Sequence, residues 1–450
     1  MRQPVSPSGR LPFADRALTT LERFLHIEAV SGIVLLLAAA IAVIWANSPA
    51  AESYVELWHT PIHIGIGTFV SSQSLHFWIN DGLMTVFFLV VGLEIKRELH
   101  EGALAHARVA ALPLAAALGG VTVPALIYFA VNGADPALRA GWAIPTATDI
   151  AFAVGVLALL GKSVPASLRV LLLAIAVIDD IAAVIVIALF YSDGVNVSGF
   201  ALAALGIAFV LIFQRSGVRS AVAYIVPGAI VWAGLLLSGI HPTLTGVVLG
   251  LLTPMTLLNT QSRPNEALEG ALAELTAKQS AAAHDVRTLG PTLRFMREIQ
   301  RELLNPVSRV QIALHPWVAF VIMPLFALAN AGVSLADIDM QSIAARSVAF
   351  GVAIALVLGK PIGVIGACWL LIKAGLGQLP PGVTWRGIAL VGTLSGIGFT
   401  MSIFIANLAF VDTNSLGAAK LGVLVGSALA CVIGVTFGAI SMRAKRSSPA

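Results

Sequence analysis

The chain has 450 residues, 58% of them hydrophobic and 11% charged, with a formal net charge of +4. Soluble domains carry about 25% charged residues, so this composition excludes a soluble globule and points to an all-α polytopic membrane protein. The slight positive excess follows from topology and gives no case for nucleic-acid binding.

Apolar runs of roughly 20 residues, long enough at 1.5 Å per residue to cross ~30 Å of hydrocarbon, recur about twelve times. They lie near 28–47, 80–97, 108–131, 142–160, 168–190, 199–213, 219–238, 241–257, 315–333, 347–372, 386–410 and 417–441. Unbroken runs of this length read as helices, because a membrane barrel would alternate polar and apolar residues. The expected organisation is a tail at 1–26, a transmembrane domain at 27–442 with an insert at about 258–310, and a tail at 443–450.

The segment up to Arg23 is too long and polar, and too far from the first apolar run, for a cleaved signal peptide. It is expected to stay as a cytoplasmic tail. Between the first two runs, SYVELWHTPIHIGIGTFV alternates β-branched residues around Pro61. It reads equally as an irregular loop or as a short hairpin whose edge pairs with a second copy, making a homodimer through the 50–75 segment. His59 and His63, four residues apart, have no cysteine companion and read as plain loop residues.

Glu94, Lys96, Arg97 and Glu98 crowd the end of the second run, and His315 opens the ninth. Such clusters fit an ordinary positive-inside flank. With twelve spans starting inside, all 27 lysines and arginines except Arg139, Arg346, Lys420 and mid-span Lys360 fall on the cytoplasmic side. Both termini are therefore expected in the cytoplasm. Cys368 and Cys431 lie in apolar runs without metal or redox spacing, which suggests core packing. The 258–310 insert mixes acidic with basic residues, against a polybasic lipid anchor.

The informative residues are polar ones at bilayer depth. Asp179 and Asp180 interrupt the fifth run, LLLAIAVIDDIAAVIVIALF, and Lys360 sits near the centre of the tenth, in ALVLGKPIGV. A charge at the bilayer centre costs at least ~2.5–3.5 kcal/mol, so such groups face a bundle interior or wet cavity and usually serve transport. The fourth run reads WAIPTATDIAF, where Pro145 removes a donor and Thr146 and Thr148 can satisfy freed backbone groups beside Asp149. The eleventh, GTLSGIGFTMS, is interrupted by Gly392, Gly396 and Gly398 with Thr393, Ser395 and Thr400. Paired interruptions point to an inverted-repeat transporter in which spans 3–5 match spans 10–12, with two broken, crossing helices, spans 4 and 11.

IPTATDIAF, AVIDD, GKPIG, LSGIGFTMS, INDGLMTVFFLVVGLEIKREL and HPWVAFVIMPLFALANAGV together resemble NhaA-type sodium/proton antiporters over nearly all of the chain except the tail and the insert. The resemblance implies that Asp180 binds the cation and carries the proton, with Asp179 as its partner and Lys360 bridged to Asp179. It implies that Asp149 and Thr148 line and neutralise the helix crossing, and that Glu94, Arg97, Glu98 and His315 belong to a pH-responsive region. His241 in GIHPTLTG is also a family feature. Gln311 stands where related antiporters carry glutamate, which shifts the expected pH response.

The implied activity is exchange of Na⁺ or Li⁺ for protons, electrogenic and pH-regulated, in a cell inner membrane and without a cofactor. A sodium-coupled solute symporter of similar broken-helix architecture is the rival reading. An intramembrane aspartyl protease is disfavoured, because neighbouring aspartates on one helix point about 100° apart and cannot share a proton.

Overall fold

The computed structural model describes residues 13–66, 69–105, 107–161, 164–192, 196–218, 220–255 and 305–443. Residues 1–12 of the N-terminal tail, most of the 258–310 insert and residues 444–450 lie outside the described residues. Among the described residues nine helices are long and apolar enough to cross a membrane, and two bent helix pairs bring the number to at most eleven.

The chain divides into two compact units. The first takes Met1–Thr60, Ala111–Ala183 and Ala319–Ala450. It opens with α1 (Phe13–Ala46) and α2 (Ala51–His59), joined at a 114° bend. Tyr54 and Trp58, one turn apart on α2, are both buried, and Tyr54 Oη donates to the Leu328 carbonyl at 2.8 Å. The stretch expected as loop or hairpin is therefore helical up to His59, because this i,i+4 aromatic pair has a surface to cover. Its second half does form a hairpin, in the other unit.

The first unit continues with α5 (Ala107–Asn132), which enters it at Ala111, then α6 (Ile150–Leu159) and α7 (Ala166–Phe190), which leaves it after Ala183. The remaining helices are numbered after those of the second unit.

The second unit takes Pro61–Ala110 and Val184–Val318. Strands β1 (Pro61–Ile66) and β2 (Phe69–Ser74) pair antiparallel, with Pro61 opposite Ser74 and Ile66 opposite Phe69. The single turn α3 (Leu75–Phe77) and a π-helical turn, Trp78–Leu83, lead into α4 (Met84–His100). Then come α8 (Val197–Arg215), α9 (Ile225–Ser238), α10 (Leu244–Leu252) and α11 (Pro306–Trp317). The expected eighth run yields only nine helical residues, about 14 Å of rise, because Pro242 and Thr253 bound it. The ninth span starts at Asn305, which caps α11 through Ser308 N, so His315 lies ten residues inside it and does not open it. The polar residues Arg309 and Gln311 hid that start.

Lipid tails are as apolar as leucine, so helices here join by close backbone approach at small residues. A Cβ on Gly246 of α10 would run into the Thr85 carbonyl of α4, and one on Gly250 would stand 2.7 Å from Leu93 N.

In the first unit the chain resumes with a second π-helical turn, Val318–Ile322, begun at the last residue of the other unit, and α12 (Met323–Asn330). Then follow α13 (Ile343–Ile354), a third π turn at Ala355–Gly359 and α14 (Lys360–Lys373). The broken pair α15 (Trp385–Ser395) and α16 (Phe399–Ala409), bent by 44°, precedes α17 (Thr413–Arg443). Gly119 of α5 and Gly363 of α14 cross so closely that a Cβ on either would overlap the other's backbone carbonyl.

Candidate functional site

Two spans of the first unit break at mid-length, where their sequences disfavour continuous helix. Arg139–Thr146 winds as a 3-10 helix that ends one residue after Pro145, Ala147 and Asp149 are extended, and α6 starts at Ile150. In the other span α15 stops at Ser395 and α16 restarts at Phe399 after Gly396, Ile397 and Gly398. A Cβ at 398 would be crowded, displacing Ser402 Oγ and standing 3.1 Å from the Ala147 carbonyl. The two links touch directly, with Asp149 N donating to the Ile397 carbonyl at 2.7 Å.

Asp149 joins the two helix beginnings. Its Oδ1 accepts from Phe152 N at 3.0 Å, capping α6, while Oδ2 accepts from Thr400 N at 3.1 Å and from Thr400 Oγ1 at 2.5 Å. Two helix N-termini, each with partial positive charge, thus converge on one buried carboxylate. Ser427 of α17 completes the arrangement, its Oγ accepting from Phe399 N at 3.1 Å. Ser427 had no signal in the sequence, since its span gives no reason to single out one hydroxyl.

The opposite side of the crossing holds the charged pair. Lys360 Nζ lies 2.6 Å from Asp179 Oδ2 and 3.0 Å from Thr148 Oγ1, and both charged side chains are fully excluded from solvent. Thr148 Oγ1 is 2.6 Å from Asp179 Oδ2 and 2.9 Å from the Ser395 carbonyl. A hydroxyl has one proton, so Thr148 can donate to only one of these acceptors at a time. Asp179 Oδ1 is buried with no hydrogen-bond partner among the described residues. Asp180, also buried, follows on α7 and points about 100° away.

This set has two adjacent carboxylates, one movable ammonium and hydroxyl and carbonyl oxygens at a break in the backbone. Hard oxygen donors of this kind suit a small monovalent cation or a proton. The structure therefore brings together Asp149, Thr148, Asp179, Asp180 and Lys360.

The remaining expected residues belong to the second unit. Arg97 pairs with Glu94 at 3.6 Å within α4, beside Glu98, and Lys96 Nζ donates to the Leu251 carbonyl at 2.7 Å. Gln311 is buried and His315 half-buried on α11. His241 Nε2 lies 2.6 Å from the Tyr191 carbonyl. His59 ends α2 while His63 lies in β1, so their spacing does not put them on one helix face. Cys368 is buried and Cys431 half-buried, both as free thiols.

Residues 22–437 match the family model described as Na+/H+ antiporter 1. The chain is 60% identical over 447 residues to Na(+)/H(+) antiporter NhaA of Cupriavidus necator, covering 99% of this chain and 95% of that one. It is 60% identical over 435 residues to Na(+)/H(+) antiporter NhaA 2 of Pseudomonas putida strain KT2440, covering 97% and 96%. It is equally similar, 60% over 454 aligned residues and the full length of both, to Na(+)/H(+) antiporter NhaA of Janthinobacterium sp. strain Marseille.

Proposed function

Because the chain belongs to the Na+/H+ antiporter 1 family, we propose that it exchanges Na⁺ or Li⁺ for protons across a membrane through competition at Asp180 and Asp179. The observation that carries this reading is the solvent-excluded bridge from Lys360 to Asp179, shared with Thr148.

In the proton-loaded state Asp180 holds a proton and the Lys360 ammonium neutralises Asp179. An arriving Na⁺ takes the Asp180 carboxylate and releases its proton. To gain Asp179 as a second ligand, the ion displaces Lys360, which loses its own proton once it has no counter-charge. One Na⁺ is bound for two protons released, so the exchange moves one net charge and responds to voltage. Asp149 stays fixed by four donors and acceptors around the crossing and holds the two helix beginnings while the site changes sides. Repeats inverted between spans 3–5 and 10–12 would supply that alternation.

An inner-membrane location with both termini cytoplasmic accords with the lysine and arginine asymmetry of the sequence. The hairpin edge at Pro61–Ser74 supplies a surface for a homodimer. The charged residues Glu94, Arg97 and Glu98, with His315, form the region to which a pH response is assigned.

The deciding experiment uses purified protein in proteoliposomes with an imposed Na⁺ gradient and no other solute. Protons should move against the Na⁺ flux in wild type and not in Asp180→Asn. Na⁺ movement that needs a second solute and carries no protons would support a symporter.

A further inference from the structure

A carboxylate that this exchange does not use lies in a span of the second unit. Asp81 sits in the π-helical turn Trp78–Leu83 ahead of α4. π turns insert one residue and are frequent at functional sites, because they re-aim a side chain. The turn is held through its backbone: the Asp81 carbonyl accepts from Thr85 Oγ1 at 2.5 Å and from Trp232 Nε1 at 3.0 Å. The ring of Trp232 stacks on Trp78 with centroids 6.0 Å apart and planes 13° from parallel. Among the described residues no hydrogen bond or ion pair reaches the Asp81 carboxylate itself, which is half-buried.

Among the described residues of the elements packed on this turn, no counter-charge is at hand. Neither α9 nor α10, which pack here, has an ionisable side chain. His76, one turn earlier, is held by the Asn80 amide. Helix α11 meets α4 from the other end, since Asn305 Nδ2 donates to Glu101 at 3.2 Å, and its Arg309 and His315 stay far from Asp81 along the axis. His241 is engaged with the Tyr191 carbonyl.

Buried hydroxyls that lack a partner among the described residues lie at the start of the helix that packs on α4. Gly246 of α10 presses on Thr85 and Leu89, and Gly250 on Gly92 and Leu93, so α10 runs parallel to α4 with its beginning toward Asp81. Thr243, three residues before Gly246 and in αR conformation, takes the face toward α4. Thr243 and Thr245 are each 1% exposed, and neither Oγ1 has a hydrogen-bond partner among the described residues. Several span hydroxyls, those of Thr122, Thr253, Thr393 and Thr436, bond a carbonyl four residues back, which these two do not. Thr243 caps nothing either. An orphaned buried hydroxyl is costly unless something bonds it.

We propose that Asp81 and the Thr243 hydroxyl form a second site for a small hard monovalent cation such as Na⁺, in the second unit and separate from the Asp179 and Asp180 site. The carboxylate supplies the charge, the hydroxyl a neutral oxygen, and water entering at half-exposed Asp81 the remaining ligands.

The test is binding of ²²Na⁺ to the purified full-length protein, with Li⁺ as competitor and N-methylglucamine as inert cation. Wild type should show a tight and a weaker component. Asp180→Asn should lose the tight one only, and Asp81→Asn the weaker one only. Thr243→Val should weaken the second component several-fold, with Thr243→Ser restoring it, and Asp81→Glu should retain it. Absence of any saturable Na⁺ binding in Asp180→Asn, or a weaker component that survives Asp81→Asn, would overturn the proposal. Loss of both components in Asp81→Asn with an unchanged melting profile would also overturn it. Persistence of the tight component in Asp180→Asn would instead count against the assignment of Asp180.

Discussion

Lys360 Nζ and Asp179 Oδ2 meet at 2.6 Å with neither side chain open to solvent, across 181 residues of sequence. A buried pair of this kind is costly to half-remove, about 3–5 kcal/mol for one partner, because the other is left charged without compensation. Asp179→Asn and Lys360→Gln should each lower thermal stability strongly. The double variant should recover a large part of the loss. A double-mutant cycle in which the two effects add within about 0.5 kcal/mol would mean that the bridge contributes no coupling.

The competition proposed at Asp180 implies a pH dependence for transport. Below the pH of half-protonation, each unit of acidification should raise the apparent KM for Na⁺ about tenfold per competing proton, ~1.4 kcal/mol of linkage. Solid-supported-membrane currents after Na⁺ jumps between roughly pH 6 and 9 would measure it, the interval in which buried carboxylates commonly titrate. A flat KM across that interval would contradict shared occupancy, and a steeper slope would bring Lys360 into the proton cycle.

Thr400 offers a narrower test of the crossing. Thr400→Val removes one hydroxyl donor to Asp149 and leaves the Phe152 and Thr400 backbone donors in place. A hydrogen bond to a charged group contributes about 1.5–3 kcal/mol, so a measurable fall in melting temperature is expected with folding preserved. Asp149→Ala should cost more, since it uncaps α6 and frees Thr400 together. Equal melting temperatures for the two variants would deny Asp149 its bridging role.

Glycines on α14 should respond oppositely to alanine. At Gly363 a Cβ would overlap the Gly119 carbonyl, forcing α5 and α14 apart one turn from Lys360. At Gly366 the space is open, and alanine there should stabilise by about 0.4–1 kcal/mol through the unfolded state. Exchange should fall in Gly363→Ala and stay at wild-type level in Gly366→Ala. Similar behaviour of both would show that the close crossing does not position Lys360.

Asp412, outside the membrane at the start of α17, accepts from Ser415 N at 2.8 Å. Bonds first from the Ser415 backbone and then from its side chain hold this carboxyl below the usual aspartate value. Since the folded-state value is the depressed one, its stabilisation is complete above the ordinary aspartate range and disappears as pH falls through the folded value. Amide protection in the first turn of α17, corrected for intrinsic exchange, should therefore weaken in acid. Asp412→Asn should remove that dependence.

Much of this protein was legible in one dimension. Membrane spans announce themselves because the bilayer is a uniform solvent that demands length and apolarity, and residues that violate it, such as Asp179 or Lys360, must be functional or compensated. The two broken spans were also readable, since Pro145 beside Thr146 and Thr148, and the glycines at 396 and 398 beside Ser395 and Thr400, gather helix-disfavouring residues at mid-span, although Pro113 and Pro124 are carried within continuous α5. Hairpin and helix were harder to separate between Ser53 and Ser74, where alternation from Ile62 onward and the Tyr54 and Trp58 spacing are both short signals.

What the sequence determined by itself is therefore the kind of solvent, the places where helix fails and the residue types at bilayer depth. Only the tertiary structure decided which of them meet. Thr148 touches Lys360 and Asp179 together, Ser427 supports Phe399 from another helix, and Asp149 is shared by two helix beginnings, its own and the one it meets at Thr400, 251 residues further on. Such partnerships depend on where helices cross, and crossings depend on backbone contacts such as Gly119 against Gly363, which a hydropathy pattern does not encode because every lipid-facing or buried apolar residue satisfies it alike.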